Sequence, residues 1–234
     1  MQFEVKRDIL LKSLNFVQGI VEKKNTLPIL SNVLLQLKEK KLSIVATDLD
    51  IIFFDEIEDV KIITEGSTTT SASILYDILR KISSNSNLRF ELKTENKLSL
   101  KSDNADFNLL CLPTDNFPTF ADEFEGNELK LNGNKLLKLL NKTKISISND
   151  DTRHYLNGVY MHLTEAQGRN FLTGVATDSH RLSSSSLEID KVNDFSSLIL
   201  PRKTVYQLCS ILSENSEPIS VSYTHLTLPT TLVV

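Results

Sequence analysis

The chain has 234 residues, 40% of them apolar, which allows one or two domains with a real buried core. Its 26 Lys and Arg stand against 30 Asp and Glu, and the net charge of −4 excludes a histone-like coat of positive charge but not a basic face. Seven Gly and six Pro exclude a collagen-like or low-complexity chain, and no apolar run approaches the roughly 18 residues of a membrane span.

Met1 to Lys6 carries no apolar signal-peptide region, so the expectation is a cytoplasmic protein that begins here and has no membrane partner. Strand Gln2 to Lys6 leads into a helix over 7–19, with Ile9, Leu10, Leu14 and Val17 on one face. Strands follow at 32–37, 41–46 and 51–60, then a helix over 72–82, a hairpin of 88–93 and 97–101, and a strand at 107–112. An acidic stretch bearing Pro118 and Gly126 then breaks the pattern.

Beyond it the pattern repeats. Residues 129–140 (LKLNGNKLLKLL) resemble 3–14 (FEVKRDILLKSL), and 155–163 (YLNGVYMHL) resemble 29–37 (ILSNVLLQL), both at an offset of 126. VATD at 45–48 returns at 175–178, and 73–82 (SILYDILRKI) returns as 203–212 (KTVYQLCSIL), both at an offset of 130. About four residues are therefore inserted near 165–170. Strand 128–132, helix 133–144 capped by Asn132, and helix 202–213 rebuild the first unit, with Leu136, Leu137 and Leu140 inward. Each unit reads as α+β, two helices packed on antiparallel sheets of about eight short strands. The expected domains are 1–122 and an incomplete 127–221. Residues 222–234 match nothing in the first unit and resemble translated sequencing-adapter read-through, so His225 and Pro229 receive no functional weight.

Charge is unevenly placed. The four predicted helices hold ten basic and two acidic residues, a net +8, so the remainder of this −4 chain carries −12. Lys135, Lys138 and Lys142 fall at i, i+3 and i+7 on one helical face. A basic wall of helices suits a phosphate backbone, bound without sequence specificity and sensitive to salt. No recognition helix, zinc-finger spacing or aromatic platform points to base reading.

Candidates for chemistry are weaker. Asp178-Ser179-His180 suggests a hydrolase or nuclease, but adjacent residues rarely form a triad and no nucleophile elbow is present. Neither the histidines nor Cys111 and Cys209 show metal-ligand spacing, and no Gly-rich phosphate loop appears, so no metal, cofactor or enzymatic activity is expected.

Taken together, TLPIL at 26–30, ATD at 46–48, RHYLNG at 153–158, ATDSHRL at 176–182 and LPRK at 200–203 resemble the bacterial β sliding clamp, the β subunit of DNA polymerase III. The resemblance covers residues 1–221. It implies repeated DNA-clamp domains, three to a chain, and a head-to-tail homodimer that closes around double-stranded DNA. Such a ring confers processivity on the polymerase without bond chemistry. Lys24, Arg80, Arg153, His154 and Tyr155 match positions that face DNA, and Arg202 and Lys203 join Lys135, Lys138 and Lys142 as basic helix residues. His154 stands where the family often has Tyr, Asp150 where some relatives are uncharged, and Ser73 where some carry Arg. Leu156, Thr177, Ser179, His180, Arg181 and Leu182 match half of a pocket for clamp-binding peptides of the polymerase core, the loader, other polymerases and repair proteins. Ser179 replaces a usual Gly there, which narrows the pocket. The other half belongs to a third domain, so this 234-residue chain is expected to bind peptides weakly and not to close a ring.

Overall fold

Alternation of apolar and polar residues in Gln2–Lys6 buries Phe3 and Val5 and turns Glu4 outward, and this β1 runs directly into helix α1, Arg7–Val17. The computed structural model describes residues 1–22, 27–103, 105–118, 127–150, 152–190, 195–214 and 218–223. The chain divides into two compact units, 1–120 and 121–234.

In the first unit α1 is followed by β2 (Asn32–Lys38), β3 (Lys41–Thr47), β4 (Ile52–Ile57), β5 (Val60–Thr64) and β6 (Gly66–Ser71). Helix α2 (Ala72–Lys81) comes next, then β7 (Asn87–Thr94), β8 (Lys97–Ser102) and β9 (Ala105–Leu112). The single strand expected over 51–60 is two, β4 and β5, because the chain turns at Glu58-Asp59 and β5 crosses to pair with β1. All nine strands form one antiparallel sheet in the order β4-β3-β2-β6-β9-β8-β7-β1-β5. Its two arms meet at a short seam, where β6 pairs with β9 only through Thr69–Leu112 and Thr70–Cys111. Buried Thr69 reinforces the seam by donating its hydroxyl to the Leu112 carbonyl at 2.8 Å.

Helices α1 and α2 pack together against the sheet. Leu10, Leu14 and Val17 point inward with Ser13 and Phe16, whereas Ile9, expected on that face, is only half-buried. Arg7, one of the basic helix residues expected to face solvent, instead donates through Nε to the Leu79 carbonyl at 2.8 Å and meets Asp8 through Nη1 at 2.6 Å. Its side chain is 13% exposed and serves to close the C-terminal end of α2.

The second unit contains β10 (Asn127–Asn132), α3 (Gly133–Thr143), β11 (Gly158–Ala166), β12 (Arg169–Thr177), β13 (Leu182–Ile189), β14 (Leu198–Pro201), α4 (Arg202–Glu214) and β15 (Pro218–Tyr223). Asn132 caps α3, its Oδ1 accepting the Lys135 N–H at 3.1 Å. Strands β13-β12-β11-β14 make one antiparallel sheet, and β10 pairs with β15. Ser222 and Tyr223, set aside on sequence, thus lie inside a paired strand. Leu136, Leu139 and Leu140 of α3 join Val205, Cys209 and Leu212 of α4 in one core over Val159, Met161, Leu172 and Ala176, and Leu137 lies at its margin. The close seat of α3 depends on Gly174, where a Cβ would come within 2.6 Å of Leu139 Cδ2. Helix α4 extends to Glu214, so it is not free of acid as expected. Cys111 and Cys209 are buried thiols.

Candidate DNA-facing and peptide-binding surfaces

The turn between β12 and β13 is built by Thr177 and Asp178. Asp178 Oδ1 accepts the N–H groups of His180 and Arg181, both at 3.0 Å, and its Oδ2 accepts Arg181 Nε at 2.9 Å. Thr177 donates its hydroxyl to the Arg181 carbonyl at 2.7 Å and accepts the Ser179 N–H at 3.2 Å. This bonding holds Ser179 at a φ of +79°, the left-handed region where glycine is at ease.

The first unit builds the same turn from the same two residue types. Asp48 Oδ1 accepts from Asp50 and Ile51 at 3.0 and 2.7 Å, Thr47 donates to the Ile51 carbonyl at 2.8 Å, and Leu49 takes a φ of +81°. Thr-Asp is therefore a folding device common to both units. What differs is the display, which is Leu49, Asp50 and Ile51 in one unit and Ser179, His180 and Arg181 in the other.

Three backbone and side-chain bonds to Asp178 favour its ionised form and hold its carboxyl well below the usual range, at about 2. A depressed carboxylate stabilises the fold above its unfolded value, and this contribution is lost as pH falls through the folded one. The turn should accordingly loosen between about pH 4 and pH 2, with the Asp178 carboxyl resonance titrating near about 2. A midpoint close to 3.8 would mean that these hydrogen bonds do not persist in solution.

Residues 148–150 and 152–156 meet this turn through Arg153. Ser148 N–H donates to the Leu156 carbonyl at 3.1 Å and closes the segment into a loop. Within it, Thr152 gives Asp150 Oδ1 both its hydroxyl, at 2.6 Å, and its N–H, at 3.1 Å, which holds the Asp150 carboxyl below its ordinary value. Arg153 reaches from Asp150 Oδ2 (Nε, 2.8 Å) to Ser179 Oγ (Nη1, 2.7 Å) and so joins the loop to the turn. Helix α4 is attached to the same loop, because Arg202 donates through Nη1 to Asn149 Oδ1 at 2.5 Å and through its backbone N–H to the Asn157 carbonyl at 2.9 Å.

The structure thus brings Arg153, His154, Tyr155, Leu156, Thr177, Ser179, His180, Arg181, Leu182 and the start of α4 into one neighbourhood. Tyr155 and Leu182 are 64% and 67% exposed, His154, His180 and Arg181 are exposed, and Leu156 is half-buried. Lys135, Lys138 and Lys142 stand exposed on α3, opposite its buried leucines. Arg202 and Lys203 are half-buried. In the first unit, exposed Arg80 lies over the Tyr76 ring at 5.6 Å. Lys24 lies outside the described residues.

Asp178, Ser179 and His180 do not form a triad. The carboxylate binds backbone N–H groups and Arg181, and the Ser179 hydroxyl accepts from Arg153. Asn149, Asn157 and Asp150 carry the loop and were not recognised on sequence as structural partners. The recurrence of Thr-Asp in both units was the one signal that could have marked the turn as structural.

Two repeated units, each with a helix pair on antiparallel strands, have the α+β architecture of sliding-clamp domains, and the second carries exposed lysines on α3. Family comparison agrees: residues 1–121 match the DNA polymerase III beta subunit N-terminal domain and residues 130–231 its central domain. The chain belongs to the DNA polymerase III beta subunit family. A Beta sliding clamp of Caulobacter vibrioides is 34% identical over 223 residues, 94% of this chain and 60% of the relative. One from Haemophilus influenzae is 33% identical over 218 residues, 93% and 58% of the two chains. Among solved structures, the sliding clamp of Bartonella birtlesii bound to griselimycin superposes with a TM-score of 0.90 at 35% identity, covering 96% of this chain and 60% of that one. The Caulobacter crescentus clamp with PEG bound to a putative beta-motif tethering region gives 0.88 at 34% identity, covering 95% and 60%. The chain thus spans about 60% of the length of these relatives. Among the described residues no helix is long and apolar enough to cross a membrane, and no group of three His, Cys, Asp or Glu is placed to hold a metal ion.

Proposed function

We propose that the chain supplies two domains of a non-enzymatic sliding clamp that encircles double-stranded DNA and holds the replicative polymerase on it. The supporting observation is the separation of roles on α3, with Leu136, Leu139 and Leu140 buried and Lys135, Lys138 and Lys142 exposed on the other side, in a chain of net charge −4. A phosphate backbone is the partner such a face fits, and contacts to phosphate alone allow the protein to slide. Arg202 and Lys203 in the second unit and Arg80 in the first are further basic helix positions assigned to DNA in this reading. Lys24, His154 and Tyr155 complete the DNA-facing set by their match to the family.

Head-to-tail assembly is supported by β9. Among the described residues, its segment 105–109 has a ladder partner only in β8, and the neighbouring Leu110 is 84% exposed. An open edge next to an exposed leucine suits strand pairing with another copy of the clamp. For peptide recognition, Leu156, Leu182 and the Thr177–Arg181 turn offer apolar contact beside polar groups, the composition expected of a pocket for clamp-binding peptides of polymerases, loader and repair proteins. The cell compartment in this reading is the cytoplasm, and no cofactor is required.

Reversing charge at Lys135, Lys138 and Lys142 to Glu tests the DNA reading. Binding to duplexes of unrelated sequence should be equal, should weaken steeply with salt, and in the triple variant should lose about three counterions of slope. Binding that is unchanged in the variant would remove α3 from the DNA surface.

A further inference from the structure

The Arg153–Ser179 contact joins two segments that the family reading assigns to different surfaces, the DNA-facing loop and the peptide pocket. We propose that Ser179 is a positioning residue, whose hydroxyl fixes the Arg153 guanidinium at the pocket and locks loop 148–156 to the turn at 177–182. The inference deepens the peptide-pocket reading and rests on it for the ligand, a peptide that places a carbonyl or carboxylate oxygen next to an apolar side chain.

The geometry is specific. Arg153 lies between two oxygens on different segments, Asp150 Oδ2 at 2.8 Å and Ser179 Oγ at 2.7 Å. With Nε and Nη1 so used, the planar guanidinium has one orientation, and its Nη2 has no partner among the described residues. Asp150 is in turn fixed by both donors of Thr152, and Arg153 N–H donates to the Asp150 carbonyl at 3.2 Å. Ser179 occupies a backbone conformation that glycine would adopt more easily, with φ at +79°. From this conformation the Ser179 hydroxyl accepts from Arg153, the contact that ties the turn to the loop. In the first unit the corresponding turn places Leu49 at φ +81°, where no hydroxyl is available, so this lock belongs to the second unit alone.

An oriented arginine loses less freedom on binding than a mobile one, and the lock should therefore favour peptide capture. It also couples the two surfaces, because displacement of Tyr155 and its neighbours would pull on the pocket through Arg153.

Two readouts separate the lock from the pocket. The first is the arginine side-chain Nε–H resonance of Arg153, assigned by its loss in Arg153→Lys. It should be sharp and slow to exchange in the wild-type chain, and should broaden and shift in Ser179→Ala and Ser179→Gly. The second is titration with a short peptide ending in two large apolar residues, followed by amide shifts of the turn. Each Ser179 variant should weaken binding roughly three- to tenfold, the range of one lost hydrogen bond. The Ser179→Ala, Arg153→Ala double variant should bind no more weakly than Arg153→Ala alone. An Arg153 resonance unchanged by Ser179→Ala overturns the lock, whatever the peptide does. A resonance that responds as expected, with peptide shifts absent from the turn, supports the lock and overturns the pocket reading instead. Additive losses in the double variant overturn the positioning role.

Discussion

Phe90→Ala should be the most damaging single truncation in the first unit, costing about 3–5 kcal/mol. Phe90 on β7 faces Phe3 on β1 directly across the ladder, and the two rings stack at 4.6 Å with 3° between their planes. Both are fully buried. The stack continues a row through Ile62 of β5 on one side and Leu100 of β8 on the other, so the cavity would open in the middle of one sheet arm. Strands fixed by cross-strand pairs relax little, which is why the cost should lie at the upper end of core truncations. Hydrogen exchange of β1, β7 and β8 amides, followed with denaturant, is the appropriate measurement. Protection reduced by less than tenfold would show that the arm repacks around the gap.

The second large effect is expected at Gly158→Ala, a change of a single methyl group. A Cβ there would lie 2.3 Å from the Leu200 carbonyl oxygen and 2.7 Å from Ile199 Cγ2, closer than any real contact, and the first of these is backbone that cannot rotate away. Strand β14 must therefore part from β11, where Gly158 faces Pro201 and Val159 faces Leu200. The cost of such overpacking is about 1–3 kcal/mol, occasionally more. The consequence extends to the candidate site, since β14 leads into α4 and Arg202 N–H holds the Asn157 carbonyl. Amide shifts should change throughout 149–157 and in the first turn of α4. Wild-type stability with unchanged shifts would show that the β11–β14 ladder has more slack than this geometry allows.

Both effects arise where close packing, not a chemical motif, sets the requirement. That distinction also separates what was legible in the sequence from what was not. Periodicity identified the four helices, because their apolar faces recur at helical spacing and the tertiary structure buries those same faces, apart from Ile9 and Leu137 at the margins. The internal repeat identified the second unit, since equal folds from equal patterns need no knowledge of contacts. The exposed lysine row of α3 was readable for the same reason: side chains at i, i+3 and i+7 share a face whatever packs behind them.

The parting of β4 from β5 was not readable. A turn at Glu58-Asp59 lacks Gly or Pro, and only the pairing of β5 with β1, far away in sequence, makes the break necessary. Arg7 looked like surface charge because its true partners, the carbonyls of Leu79 and Arg80, are backbone groups more than 70 residues away. Asp178, Ser179 and His180 looked like adjacent chemistry, but the fold makes the aspartate a turn-builder and gives the serine to an arginine 26 residues earlier. Local pattern by itself determined the helices, the repeat and the basic face of α3, since each depends on spacing along a single element. Only the tertiary structure decided which polar side chains hold the chain together and which remain for a partner, because a hydrogen bond depends on where two groups meet in space.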